Sequence, residues 1–569
     1  MKTPKTRTGA EIVAEILEAE GVTTAFGLTG AAFMPLFDTL FRRRGPVRLV
    51  NTRHEQGAMH MAEGYAKSTG KTGVVIVTSG PGATNTVTGL ADAYYDSVPL
   101  VVITGQVRTD MIGTDAFQEA DMVGITRSCT KHNFLVKSIE ELPRVLKDAF
   151  FIARSGRPGP VLVDLPKDVS VSEAALEIPD RSGIPMSKFT PLHDPLDLQA
   201  MARLIRSARR PLIYAGGGVI HAGASKELNA FARKTGMPVT LTLMGLGATP
   251  ASDRRFIDML GMHGSYRANL AVTHCDLLIA IGVRFDDRVT GKISEFAAGA
   301  KKVHLDVDPT SINKNVKVDL HVLGDLSKML RELTARVGTQ ARSDWYADLD
   351  SWQKKHPLAY RQDPGAKVLP QFVIDEVYRL TKGDAFIATE VGQHQMWAAQ
   401  FYKFEKPRRW ITSGGLGTMG FGFPAAVGVQ FAHPKAQVVC LAGDGSFQMN
   451  LQELATVAEH KLPVKTIILN NQVLGMVKQW QDLFFGKRYA NTLIPVQPDF
   501  VKLAEAFGIS GYRAETPSET TRVLEAALSS KKACLVDIRV DPDEHVYPMV
   551  PAGAAVKDMI LSRLQEKGF

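Results

Sequence analysis

Two short polar stretches, each closing an apolar run, carry side chains suited to holding a metal and a phosphate. GDGSFQMNLQEL opens at Gly443 and NNQVLGMV at Asn470. Asp444 offers a hard carboxylate oxygen, Asn471 an amide oxygen, and the turn after it a backbone carbonyl at Val473. Mg²⁺ takes an octahedron of oxygens and keeps phosphate and water in its shell, so this set leaves room for a diphosphate. Singly, each stretch is an ordinary Gly/Asp/Asn turn; their succession after two predicted strands makes the pair specific. A third cluster, GGLGTMGFGFPAAVG from Gly414, contains G-x-G-x-x-G at Gly415, Gly417 and Gly420. That is the spacing of a dinucleotide loop, but only a short strand, 410–412, precedes it. His54-Glu55 does not start a zinc motif, because H-E-x-x-H needs histidine where Ala58 stands.

Such turns need strands to hold them, and three long segments alternate apolar β-branched runs with amphipathic stretches. This predicts α/β architecture, three doubly wound parallel-sheet domains. GVVIVTS (73–79), PLVVITG (99–105) and GPVLVDLP (159–166) read as strands of the first, with helices at 11–20 and 139–153. PLIYAGGG (211–218), DLLIAIG (276–282) and KVHLDVD (302–308) serve the second. DAFIATE (384–390), QVVCLAGDG (437–445), VKTIILNN (464–471) and CLVDIRVD (534–541) serve the third. Polar stretches at 179–197 and 343–370 read as linkers, giving domains over 1–178, 195–345 and 368–545 and a tail over 546–569. No short-period repeat is visible.

Composition closes off other classes. The 569 residues are 45% hydrophobic and 22% charged, which excludes disordered and coiled-coil chains. No apolar run reaches the ~20 residues of a membrane span, and the N-terminus lacks a signal core, so a cytoplasmic protein is expected. The net charge of +8 is scattered, with one short cluster at Arg42, Arg43 and Arg44. No basic stripe with interleaved aromatics marks a nucleic-acid partner. Cys129, Cys275, Cys440 and Cys534 lie far apart, without C-x-x-C, as suits a reducing compartment.

The Asp444–Asn471 pair resembles the signature of thiamine-diphosphate enzymes. Along nearly the whole chain, TSGPGATN (78–85), GTDAFQE (113–119), TKHNFLVK (130–137), LGMHG (260–264), GVRFDDRVTG (282–291), VGQHQMWAAQFY (391–402) and VYPMVPAGA (546–554) are similar to the acetohydroxyacid synthase family. The resemblance implies a pyrimidine-binding domain, a central FAD-carrying domain and a diphosphate-binding domain. It also implies a site between two subunits of a homodimer or homotetramer, and admits a small regulatory subunit. The activity implied is decarboxylation of pyruvate and transfer of its two-carbon unit to a second 2-ketoacid, pyruvate or 2-ketobutyrate, for branched-chain amino-acid synthesis.

By the same resemblance Glu55 would bond the aminopyrimidine ring, favouring the tautomer whose exocyclic nitrogen takes the thiazolium proton. Gly30, Pro81, Asn85, Gly417, Met419 and Met476 would seat the cofactor. Gln393, His394, Gly445 and Ser446 would hold its diphosphate, and Asp444, Asn471 and Val473 the Mg²⁺. Arg288 would bind the carboxylate of the second ketoacid, since a guanidinium fork suits a planar carboxylate. Ala31, Phe117, Val477 and Trp480 would shape the pocket, and Phe117, Gln118 and Lys131 would reach it from the partner subunit. FAD would lie on Gly216, Gly217, Gly218, Met244, Gly261, Met262, His263, Gly282, Arg284, Asp306 and Asp325.

One loop departs from the family. Where G-Y-P-G-G is usual, this chain has Gly27-Leu28-Thr29-Gly30-Ala31, followed by Ala32 and Phe33. The change alters a backbone N–H near the reacting carbon, and Phe33 is expected to add bulk there. The alternative activity is therefore another thiamine-dependent carboligase or decarboxylase with a different donor, like glyoxylate carboligase or sulfoacetaldehyde acetyltransferase. A flavin or nicotinamide oxidoreductase and a non-catalytic homologue are the further alternatives.

Overall fold

The computed structural model describes residues 5–562, so 563–569 of the expected C-terminal tail and residues 1–4 lie outside the described residues. Three six-stranded sheets dominate it. Every ladder in them is parallel. The β-branched runs are buried throughout, as Val74, Val75, Ile76 and Val77 show. That is the consequence of helices covering both faces of a parallel sheet.

The first and third sheets share one strand order, and the second differs from them while keeping the same kind of reversal. In the first the strands run Arg48–Asn51, Thr24–Leu28, Gly73–Val77, Leu100–Gln106, Pro160–Pro166 and His132–Leu135 in spatial order. In the second they run Phe256–Met259, Val239–Leu241, Pro211–Ala215, Leu277–Ile281, Lys301–Asp306 and Leu320–Leu323. The third runs Trp410–Ile411, Phe386–Thr389, Val438–Gly443, Lys465–Asn470, Cys534–Arg539 and Ser510–Ala514. In each, the chain starts inside the sheet and fills one side before crossing to the other. The crevice at that reversal lies beyond the carboxyl ends of two neighbouring strands, where open α/β sheets bind ligands. Gly30 and Pro81 follow the reversal strands of the first sheet, Gly216–Gly218 and Gly282 those of the second, and Gln393 and Asp444 those of the third.

Helix Glu55–Thr69 of the first unit packs against helix Gly422–Ala432 of the third. A Cβ at Gly64 would run into the Ala425 carbonyl and one at Gly428 into that of Met61, so both glycines are needed for the approach. An antiparallel ribbon of Thr6–Thr8 with Glu173–Ala175 closes the first unit. The 343–370 stretch is not wholly a linker. Ser343–Lys355 is a helix, with Trp345 and Leu349 buried against the second unit and the Trp345 indole donating to Pro211 O at 3.1 Å. Among the described residues no helix is long and apolar enough to cross a membrane.

Candidate active site

Three helices begin at one small cavity: Gln393–Phe401, Asp444–Phe447 and Gly475–Phe484. Their unpaired N–H groups and dipoles converge there, an arrangement that favours an anion. Gly445, Ser446, His394, Met419, Asn471 and Val473 line the same cavity. Burial lowers the His394 pKa to about 3, so its ring is neutral, and His394 Nε2 and Gln393 Oε1 are buried without partners. The Gln393 amide nitrogen is held by Gln479 Oε1 at 3.0 Å.

Asp444 is 1% exposed, and burial pushes its carboxyl up to about 6. Its side-chain partner is the amide of Gln497. Asn471 Oδ1 accepts from Val473 N at 3.2 Å. A buried carboxylate without a cationic partner, beside an amide oxygen and three helix N-termini, fits a divalent cation carrying a diphosphate.

A second cleft, of about 1150 Å³, opens beyond the second sheet. Gly216, Gly217, Gly218, Met244, Met262, His263, Gly282, Arg284, Asp306 and Asp325 line it, while Gly261 lies between two lining residues. A glycine run after one strand and carboxylates after two others fit the phosphates and ribose hydroxyls of a dinucleotide. The same cleft receives Gly417, Met476, Val477, Trp480 and Arg288. Asp286 pairs with Arg284 at 2.7 Å, which leaves Arg288 with Asp287 at 3.9 Å and Met262 Sδ at 3.6 Å. Its guanidinium, 62% exposed, is free to take an incoming carboxylate.

A third group gathers on the first sheet. Glu55 is buried, accepts from the Asn85 amide at 2.9 Å, and faces the Gly80-Pro81-Gly82 turn, against which Gln118 packs. Phe117 is 88% exposed. Gly30 abuts Thr78, so closely that a Cβ would collide with its side chain. Neither Glu55 nor Gln118 lines the small cavity or the large cleft. Lys131 stands apart at the amino end of this sheet, donating to Ile152 O at 2.5 Å and Ser155 O at 2.7 Å, with its pKa lowered by burial to about 8. The expectation for Phe33 is corrected. Its ring is 1% exposed and turns inward against Gly105 and Phe37, so Thr29 and Ala31, both exposed, are what the altered loop presents.

Three residues of this site escaped the sequence reading. Glu453 closes the same motif as Asp444 and accepts from Arg53 N at 2.9 Å and His54 N at 3.1 Å, fixing the backbone just before Glu55. Glu390, at the end of a predicted strand, accepts from Gly420 N at 2.7 Å and Phe423 N at 2.9 Å. Gln497 comes from a loop without any pattern. Only Glu453 had a visible signal, its place within the motif.

Family models for thiamine pyrophosphate enzymes match three successive stretches. The N-terminal TPP binding domain matches residues 7–125, the central domain 198–333 and the C-terminal TPP binding domain 390–538. The chain is 48% identical to the acetolactate synthase large subunit of Haemophilus influenzae, over 99% of this chain and 100% of that protein. It is 46% identical to the acetolactate synthase isozyme 3 large subunit of Escherichia coli, over 98% of this chain and 99% of that one. It is also 47% identical to acetolactate synthase 3, chloroplastic, of Brassica napus, over 97% of this chain and 87% of that protein.

Proposed function

The chain belongs to the acetolactate synthase family of thiamine-diphosphate enzymes, and from that membership we propose how its residues divide the work. The reaction is decarboxylation of pyruvate and ligation of the two-carbon unit to a second pyruvate or to 2-ketobutyrate. The reaction follows from the full-length relatives, and what supports the cofactor site is the convergence of three helix N-termini on a buried Asp444 whose side-chain partner is the Gln497 amide. Asp444, Asn471 and the Val473 carbonyl would hold Mg²⁺, and Gln393, His394, Gly445 and Ser446 the diphosphate. Thiamine diphosphate, when bound, supplies the carbon that adds to pyruvate and accepts the electrons left as CO₂ departs.

The chain's own side chains do the rest. Glu55 of a second copy holds a proton at the pyrimidine ring nitrogen, with Asn85 orienting its carboxyl. Met476, Val477 and Trp480 line the large cleft and would give the donor an apolar wall that favours loss of charge during decarboxylation. Arg288 takes the acceptor's carboxylate through paired N–H groups and turns its carbonyl toward the donor. FAD would occupy the large cleft, supported by the glycine run and the carboxylates Asp306 and Asp325. The enzyme would act in the cytoplasm as a homodimer or homotetramer, and the "large subunit" names of its relatives support a small regulatory partner.

Product analysis tests this. With pyruvate, thiamine diphosphate and Mg²⁺ the expected product is 2-acetolactate, shifting to 2-aceto-2-hydroxybutyrate when 2-ketobutyrate is added. Acetaldehyde and CO₂ without carboligation would contradict it.

A further inference from the structure

Between the Glu55 helix and the glycine turn after strand Trp410–Ile411 lies a buried ion pair that the roles above do not use. Lys67, in the last turn of helix Glu55–Thr69, sets its Nζ 2.6 Å from Asp96 Oδ2 and 2.5 Å from Thr412 O. The two side chains are 6% and 1% exposed. Asp96 then accepts from Gly415 N at 2.7 Å and Gly414 N at 3.1 Å. One turn earlier on helix Val87–Asp96, Asp92 accepts from the Ser413 hydroxyl at 3.0 Å. That hydroxyl accepts from Gly417 N at 3.1 Å and Thr418 N at 2.9 Å. Four donors of the turn, the N–H groups of Gly414, Gly415, Gly417 and Thr418, therefore hang, directly or through Ser413, on two carboxylates of one helix. Gly415 must be glycine for this, since a Cβ there would meet Asp96 Oδ1 at 2.9 Å.

The same residues reach the large cleft. Tyr95, Asp96 and Ser97 form part of its wall, and the Asp96 carbonyl meets His221 Nε2 of the second unit at 3.1 Å. A buried ion pair gains little net stability against its desolvation cost. Its distinctive effect here is geometric: a charge-assisted acceptor fixes two backbone N–H groups of a glycine turn that would otherwise be free to move.

We propose that Asp96, clamped by Lys67, is a positioning residue that sets the Gly414–Gly417 turn and couples the ligand of the large cleft to the cofactor of the small cavity. This rests on the assignment of FAD and thiamine diphosphate to those two sites. A ligand that settles Tyr95–Ser97 settles the Asp96 carboxylate, and with it the turn that leads through Thr418 into Met419, which lines the small cavity.

Calorimetric titration of the full-length protein with thiamine diphosphate and Mg²⁺, FAD-free and FAD-saturated, provides the test. The wild type is expected to bind thiamine diphosphate about tenfold more tightly with FAD, within the usual range of coupling. Asp96→Asn removes the negative charge and sets an amide NH₂ against a donor in either orientation, Gly415 N or the Lys67 and Gly414 pair, and is expected to bring that ratio to about one. Damage that is merely structural would weaken both titrations and leave the ratio standing. Ser413→Ala, which keeps the Lys67–Asp96 pair, guards against a fold too weak to measure and is expected to halve the ratio at least. A wild-type ratio of one, or an Asp96→Asn protein that keeps the wild-type ratio, would overturn the proposal. Failure of the wild type to bind either ligand would overturn the site assignments first, and the coupling with them.

Discussion

Arg288 and Glu390 illustrate opposite solutions to carrying a charge near the site. Arg288 stays in the open, because Asp286 is already engaged by Arg284 and no carboxylate closer than 3.9 Å claims it. Lysine keeps the charge but loses the fork. Arg288→Lys is therefore expected to raise the KM for the acceptor ketoacid about tenfold or more while leaving the first-turnover burst of CO₂ from pyruvate near normal; unchanged acceptor kinetics would remove the role. Glu390 is fully buried, and burial raises its pKa from 4.5 to about 7 despite the backbone N–H groups that pull it down. Between those values the folded chain keeps a proton that the unfolded chain has released. The stability it contributes thus falls as pH rises from about 4.5 to 7 and is level above. The melting-temperature advantage of the wild type over Glu390→Gln should accordingly be larger at pH 5 than at pH 8, and an advantage that grows with pH would contradict burial as the dominant cause. Asp444 and Asn471 were legible because each closes a strand in its own short motif. Glu390 and Gln497 were not, because their partners come from segments 30 and 53 residues away. Phe33 was misjudged because nothing local says which way a side chain turns beyond a strand end.

At the scale of elements, the strands were legible as β-branched runs, since parallel strands buried on both faces leave no alternation to misread. Helix Ser343–Lys355 was hidden by its charge. Its buried stripe is only Trp345 and Leu349, one turn apart, on an otherwise polar surface. The contact between helices Glu55–Thr69 and Gly422–Ala432 was invisible too, because a glycine in sequence does not declare what approaches it. That contact brings the Glu55 helix against the third unit, and Gly64→Ala or Gly428→Ala should cost about 1–3 kcal/mol of stability by overpacking against backbone that cannot move aside. Equilibrium denaturation checks this, and a neutral Gly428→Ala would mean the helices can separate without penalty.

For the whole molecule, the decisive feature is that the small cavity and the large cleft contain neither Glu55 nor Gln118, although both belong to the sequence pattern that predicts one site. The first unit presents Glu55, Asn85 and an exposed Phe117 at the carboxyl edge of its own sheet, and the third presents Asp444 at the edge of another. On the proposed division of roles a chain alone would hold two halves, and twofold pairing of identical copies would complete two sites at once. The most direct test of that claim is complementation between two variants, Glu55→Gln and Asp444→Asn, each expected to be inactive alone. Co-expressed in equal amounts, half the dimers would be mixed, and each mixed dimer would hold one intact site, so acetolactate formation should return to about a quarter of the wild-type level. No recovery in mixed dimers, with each variant folded and able to pair, would contradict a site shared between copies.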